Sequence, residues 1–164
     1  MPENSPVFSD FIMEVDPRFH GFVRQTDERM TQYGCKLKIA TSKSGYVVSY
    51  THAKSKKVIL NFVFRKSGLV VRIYGDSVGQ YLDLLEALPD KMRKVIEKAP
   101  SCKRFEDPPR CNSKCGGYVF ILGGTQYQKC RYNCFMFGVD HESIPFIDRF
   151  IENEVGARNA AQKQ

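Results

Sequence analysis

The feature that most restricts the fold is a change in apolar periodicity after Gly34. From residue 35 to residue 74, short apolar runs, several of which alternate with polar residues, are separated by polar turns such as SKSG and RKSG. A period of two is typical of β-strands, and short turns join antiparallel neighbours. The runs at about 35–41, 45–52, 57–65 and 69–74 therefore predict a sequential four-stranded antiparallel meander.

Helical spacing of apolar residues flanks this meander on both sides. One or two helical turns are expected over 7–15, a longer helix over 17–33, two helices between 77 and 98, and a last helix after Ser143. Strands in one block with helices before and after them indicate an α+β fold. We predict a single α+β domain over residues 1–155 and a frayed C-terminal tail over 156–164.

A second hairpin is predicted at Gly123 and Gly124, where two arms, GYVFIL and TQYQKCRYNCFMF, meet. If the two glycines form a tight turn, Leu122 pairs with Thr125, and the resulting register puts four cysteines on one face of the hairpin. These residues are Cys111, Cys115, Cys130 and Cys134. Two CxxxC pairs on one face predict a site for one zinc ion.

A flat strand does not satisfy such a zinc site. Cys130 and Cys134 would then lie roughly 13 Å apart, whereas zinc holds each sulfur at about 2.3 Å. The chain must therefore turn between these two residues. The alternatives are buried thiols, a Cys115–Cys130 disulfide or a redox-active pair, and Cys102 is close enough in sequence to replace one ligand.

Positive charge is concentrated in the predicted sheet. Residues 29–75 contain ten basic and no acidic residues, and this stretch supplies the whole surplus of +7. Such a surface attracts phosphates, and Tyr46, Tyr50 and Tyr74 are expected to offer stacking surfaces beside it. The alternative is a solvated face whose lysines protect strand edges. The candidate anion-binding residues are Lys36, Lys38, Lys54, Lys56, Lys57, Arg65 and Lys66.

Motifs of the common enzyme classes are missing from the sequence. It has no Walker loop, GxGxxG, HExxH or GxSxG, and its three histidines fall on different predicted elements. No catalytic residue is predicted, and the sequence favours a non-enzymatic role while leaving open whether the protein is an enzyme. The stretch MPENSPVFSD lacks signal-peptide features, and no run reaches about 20 apolar residues, so we expect a cytoplasmic protein without a membrane partner.

Three stretches, GYVVSY, FRKSGLVVRIYGD and KCRYNCFMF, together resemble a group of small uncharacterised bacterial proteins with a similar cysteine hairpin. The resemblance runs from about residue 10 to residue 155. It implies a compact bacterial cytoplasmic domain and brings no catalytic residues with it.

Two functional hypotheses follow from these patterns. The first is a non-enzymatic binding domain that uses the basic sheet face for a nucleic acid or another polyanion and the cysteine cluster as a structural clamp. The second is a small enzyme or sensor with a reactive cysteine in a pocket between the sheet and the loop 99–116.

Overall fold

The computed structural model describes residues 5–102, 115 and 117–162, and its main element is an antiparallel sheet. The first four strands are β1 (Cys35–Ser42), β2 (Gly45–His52), β3 (Val58–Arg65) and β4 (Gly68–Ile73). Each strand pairs antiparallel with the next one along the chain. The predicted α+β fold with a four-stranded meander is thus confirmed.

Helices lie before and after the meander. They are α1 (Phe8–Glu14), α2 (His20–Gln32), α3 (Leu82–Glu86), α4 (Asp90–Lys98) and α5 (Ile144–Gln162), with single 3-10 turns at Pro17–Phe19 and Val78–Gln80. The helix expected over 17–33 is present. The tail predicted from residue 156 is wrong over 156–162, which remain helical, because buried Arg158 anchors the last turns of α5.

The second hairpin has the predicted turn and register. Its strands are β5 (Tyr118–Leu122) and β6 (Thr125–Lys129), and Leu122 pairs with Thr125. Gly123 and Gly124 have φ of +58° and +80°, as a tight hairpin turn requires. The hairpin forms a two-stranded sheet separate from the meander.

The second arm of this hairpin is shorter than the sequence predicts. Strand pairing stops at Lys129, and the amides of Asn133 and Cys134 both donate to the carbonyl of Cys130, at 3.1 and 2.9 Å. The chain makes a turn here and then enters β7 (Met136–Gly138), which pairs with β4 as the fifth strand of the main sheet. The predicted arm TQYQKCRYNCFMF is therefore not one strand, and the turn lies between Cys130 and Cys134, where the zinc hypothesis requires one.

The core lies between one face of the main sheet and helices α1, α2 and α5. Phe62 on β3 is fully buried and contacts the rings of Phe11, Phe22 and Tyr50 at centroid distances of 5.6 to 6.2 Å. Phe150 of α5 lies 5.0 Å from the ring of Phe135, which in turn contacts the hairpin. Because the helices cover this face, functional side chains of the sheet are expected on the opposite face and at the strand ends.

Candidate functional site

The seven predicted anion-binding side chains are all exposed. Within the described parts of the chain, none of them has a carboxylate partner within 4.0 Å. They do not form one group, because the turn after β2 and the turn after β3 lie at opposite ends of the sheet. Arg65 and Lys66 occupy the second turn, far from the others.

Five lysines lie together at the other end of the sheet, and we call them the basic corner: Lys36, Lys38, Lys54, Lys56 and Lys57. Lys36 pairs with Thr51, directly before the turn that carries the last three. Lys36 and Lys38 lie on the sheet face opposite the helices, because Cys35 and Ile39, which alternate with them, pack against the core. All five lysines of the corner are exposed, and none has a carboxylate partner among the described residues.

A polar row crosses this outer sheet face from the basic corner. Cross-strand pairing places Lys38 beside Ser49, Ser49 beside Asn61, and Asn61 beside Arg72. The Asn61 amide donates to Ser49 Oγ at 2.7 Å, and Arg72 Nη1 donates to Asn61 Oδ1 at 3.1 Å. Asn61 and Arg72 are buried, so each buried polar group of the pair is satisfied by its neighbour on the next strand.

Tyr132 stacks on Arg72 at the end of this row. The guanidinium carbon of Arg72 lies 3.7 Å from the centroid of the Tyr132 ring, and its Nε donates to the Tyr132 carbonyl at 2.8 Å. The tyrosine itself remains 55% exposed. Sequence reasoning missed it, because it placed the stacking residues on the sheet, where Tyr50 and Tyr74 are in fact buried.

A cavity of about 440 Å³ lies next to the basic corner, at the end of the sheet. It is lined by Lys57, Val58, Tyr74, Asp76, Cys115, Gly117, Tyr118 and Arg131. Arg131 donates to both carboxylate oxygens of Asp76, at 2.7 and 2.9 Å, and lies over the ring of Tyr74 at 4.3 Å. The hydrogen bond to Asp76 raises the pKa of Arg131 above its ordinary value.

The carboxylate of Asp76 accepts hydrogen bonds from three protein side chains. Besides Arg131, it accepts from the Tyr118 hydroxyl at 3.3 Å and from Arg158 Nη2 at 3.4 Å. Burial, followed by the nearby Asp76 charge, raises the pKa of Tyr118 well above its ordinary value, so this hydroxyl stays protonated and donates. Asp76 therefore positions the side chains around it.

A buried ion pair lies beside the residues that line the cavity. Glu154 is completely buried, and Arg158 is 5% exposed; Arg158 Nε donates to Glu154 at 2.7 Å. Glu154 also accepts from the Ser77 amide and the Tyr81 hydroxyl. Both charged groups are thus paired and hydrogen-bonded, as burial of charge requires. The pair joins α5 to the end of the sheet.

Arg158 also holds the backbone beside the cavity. Its guanidinium donates to the carbonyls of Lys57, Val58 and Tyr74 at 2.9 to 3.1 Å. Because all three of these residues line the cavity, one buried side chain fixes the position of three of its walls.

The four predicted zinc ligands have different surroundings. Cys111 lies outside the described residues. Cys115 lines the cavity, and Cys130 and Cys134 are one helical turn apart, which is the turn that a zinc site requires here. Among the described side chains, no group of three or more His, Cys, Asp or Glu is arranged to hold a metal ion. Zinc binding by this set stays a prediction.

The thiols of Cys35, Cys102, Cys130 and Cys134 are not joined in disulfides. The alternative Cys115–Cys130 disulfide is therefore not formed. Cys134 is completely buried, and burial strongly raises the pKa of its thiol, while the smaller effect of burial at Cys35 raises that pKa to about 11. Neither thiol is activated as a nucleophile in this environment.

Two of the three histidines, His52 and His20, make structural contacts. His52 is buried between Ser55 and Asn159, at 2.9 and 3.0 Å, and thereby links the turn after β2 to α5. His20 contacts the carbonyl of Val15 at 2.7 Å. Both contacts are explained by structural roles.

Fold and site together define an α+β domain with an unneutralised basic corner and an adjoining polar cavity. Comparison of the chain with protein-family models, curated proteins and solved structures found no match. None of the helices in the described ranges is long and apolar enough to cross a membrane.

Proposed function

We propose that the protein is a non-enzymatic binding domain for a polyanion, and that this polyanion is single-stranded nucleic acid. The observation that carries the proposal is the exposed ring of Tyr132, which is held on Arg72 at the end of a row that begins at Lys38. Proteins that bind single strands combine basic side chains for phosphates with aromatic rings for bases.

The spacing of these groups suits a short stretch of an extended strand. Lys38 lies on β1 and Arg72 on β4, which are three strand spacings, or roughly 14 Å, apart. Between them, Ser49 and Thr51 on β2 are half-buried and Asn61 on β3 is buried, so the exposed groups lie at the two ends of the row. A strand laid from the basic corner toward Tyr132 would place phosphates near the lysines and one base on the tyrosine ring.

Preorganisation of the tyrosine favours binding. The bonds from Arg72 to Asn61 and to the Tyr132 carbonyl hold the guanidinium, and the guanidinium supports one face of the ring. A ring fixed before binding loses less conformational entropy when a base stacks on it. This distinguishes Tyr132 from a mobile surface tyrosine.

The test is binding of fluorescein-labelled single-stranded RNA and DNA, measured by anisotropy over a range of salt concentrations. Replacing Lys54, Lys56 and Lys57 by glutamate removes up to three phosphate contacts, so the slope of log K against log salt should decrease by about 2. The matched control is the pair Arg65→Glu and Lys66→Glu at the far end of the sheet, which should change binding less.

A second variant separates nucleic acid from other polyanions. Tyr132→Leu removes one stacking surface and should weaken oligonucleotide binding by about 1–3 kcal/mol while leaving heparin binding nearly unchanged. No loss for either ligand would mean that charge alone directs binding, and equal loss for both would mean that Tyr132 does not act by stacking on a base. No affinity for oligonucleotides at low salt would refute the proposal.

A further inference from the structure

The cavity beside the basic corner has the properties of a separate small-molecule site. Its volume of about 440 Å³ lies within the range of ligand pockets. Two of its lining side chains carry positive charge, Lys57 and Arg131, and one, Asp76, carries negative charge. The lining therefore has a net charge of +1 and favours an anion.

Arg131 has unused hydrogen-bonding capacity in this cavity. Its Nε–H and one N–H of Nη2 donate to Asp76, and its guanidinium group lies over the ring of Tyr74. A guanidinium has five N–H donors, so three N–H groups, two of them on Nη1, have no protein acceptor in the described structure. Its side chain is 27% exposed, which leaves these donors accessible from the cavity.

The residues that hold Arg131 fix it in one orientation. Asp76 binds it at two points, and Asp76 is in turn held by Tyr118 and Arg158. The backbone of Lys57 is fixed as well, because its carbonyl accepts from the His52 amide at 2.9 Å and from Arg158 at 3.1 Å. The guanidinium of Arg131 and the backbone that carries Lys57 are thus both held in place, which lowers the entropy cost of binding.

We infer that this cavity binds the oxyanion group, a carboxylate or a phosphate, of a small molecule, through the free N–H groups of Arg131 and the ammonium group of Lys57. Arginine matches planar or tetrahedral oxyanions with paired hydrogen bonds, and lysine adds a point charge. Asp76 acts as a positioning residue in this site. The inference does not depend on nucleic-acid binding, since it rests on the cavity alone.

The experiment is a titration of the full-length protein with inorganic phosphate and, separately, with acetate, at constant ionic strength. Binding is followed by NMR at the Nε–H of Arg131 and at the backbone amide of Tyr118. Saturable shifts at both positions are expected with at least one anion. Tighter binding of phosphate would identify a phosphorylated ligand, and tighter binding of acetate a carboxylate ligand.

Two matched variants test the assignment of the residues. Lys57→Gln should weaken binding about tenfold, which corresponds to the loss of one hydrogen bond to a charged group. Lys66→Gln, the same change at the other end of the sheet, should leave affinity within about twofold. Both side chains are exposed, so both variants are expected to fold, and thermal melting verifies this.

A third variant tests the paired N–H groups of the Arg131 guanidinium without removing the positive charge. Arg131→Lys keeps the positive charge and should nevertheless weaken binding, because lysine cannot hold Asp76 and the oxyanion at once. The inference would be overturned if neither phosphate nor acetate caused saturable shifts, or if Lys57→Gln bound the anion with wild-type affinity. Oligonucleotide binding is measured separately, so failure here and failure of the proposed function remain distinguishable.

Discussion

Replacement of Arg158 by methionine is expected to be the most damaging single change to the C-terminal helix. The substitution keeps an unbranched side chain but removes the positive charge beside Glu154, which is completely buried. It also removes donors from three backbone carbonyls. Breaking a buried ion pair by deleting one partner typically costs about 3–5 kcal/mol, because the remaining charge is left uncompensated.

The magnitude can be followed by urea denaturation and by thermal melting with circular dichroism. For a chain of this length, about 3–5 kcal/mol corresponds to a decrease in Tm of roughly 6–20 °C. The matched control is Glu152→Gln on the exposed side of α5, which should change the free energy of unfolding by less than about 0.5 kcal/mol.

A double-mutant cycle separates the pair from the rest of the network. Glu154→Gln keeps the side-chain volume and leaves Arg158 bound to Asp76 and to the carbonyls, so it should cost less than Arg158→Met. The double variant should be more stable than the sum of the single losses, with a coupling energy of about 0.5–3 kcal/mol. If Arg158→Met costs no more than the Glu152 control, the interpretation of this pair as the anchor of α5 is wrong.

Three further outcomes are expected. Gly117→Ala should destabilise the protein by about 1–3 kcal/mol in urea denaturation, because φ at this position is +62° and the new Cβ would lie 2.7 Å from Cys102 Sγ. The control is Gly21→Ala, where the added Cβ meets no atom within 4 Å. This change should stabilise α2 by about 0.5–1 kcal/mol. Burial, as the largest cause, raises the pKa of four tyrosines above the ordinary value of about 10: Tyr50, Tyr74, Tyr81 and Tyr118. Since the unfolded chain releases these protons first, the contribution of these tyrosines to stability should be constant below about pH 10 and fall above it by up to about 1.4 kcal/mol per pH unit for each tyrosine; a flat profile between pH 10 and pH 11 in urea melts would contradict this. If the cysteine hairpin holds zinc, elemental analysis of protein purified under reducing conditions should find one zinc per chain, and Cys115→Ser should lose it while the meander stays folded; metal-free wild-type protein would refute the zinc prediction.

Local patterns predicted the elements of this fold, because they depend on neighbouring residues. The two-residue period and the short turns were sufficient for the meander, and the glycines at 123 and 124 were sufficient for the register of the hairpin. Exposure of the lysines also followed from the sequence, since charged side chains in turns rarely have anything to bury them. The sequence could therefore predict which residues make up the basic corner.

The spatial arrangement of the basic corner could not be predicted from the sequence in the same way. That Lys54, Lys56 and Lys57 join Lys36 while Lys66 lies at the far end follows from strand order and register across the sheet. Tyr132 belongs in sequence to the cysteine segment, and only the pairing of β4 with β7 brings it onto Arg72.

The sequence by itself thus determined which segments form strands and helices and where the positive charge lies. The tertiary structure alone decided where the second hairpin arm ends, since the amide of Cys130 donates to the carbonyl of Pro100, thirty positions away in the chain. It also decided the role of Glu154 and Arg158. Their i,i+4 spacing is ordinary for an exposed helical pair, and they became a buried anchor because α5 packs them against the backbone of β3 and the residues after β4. Contacts between distant segments depend on how whole elements pack, and no local pattern encodes them.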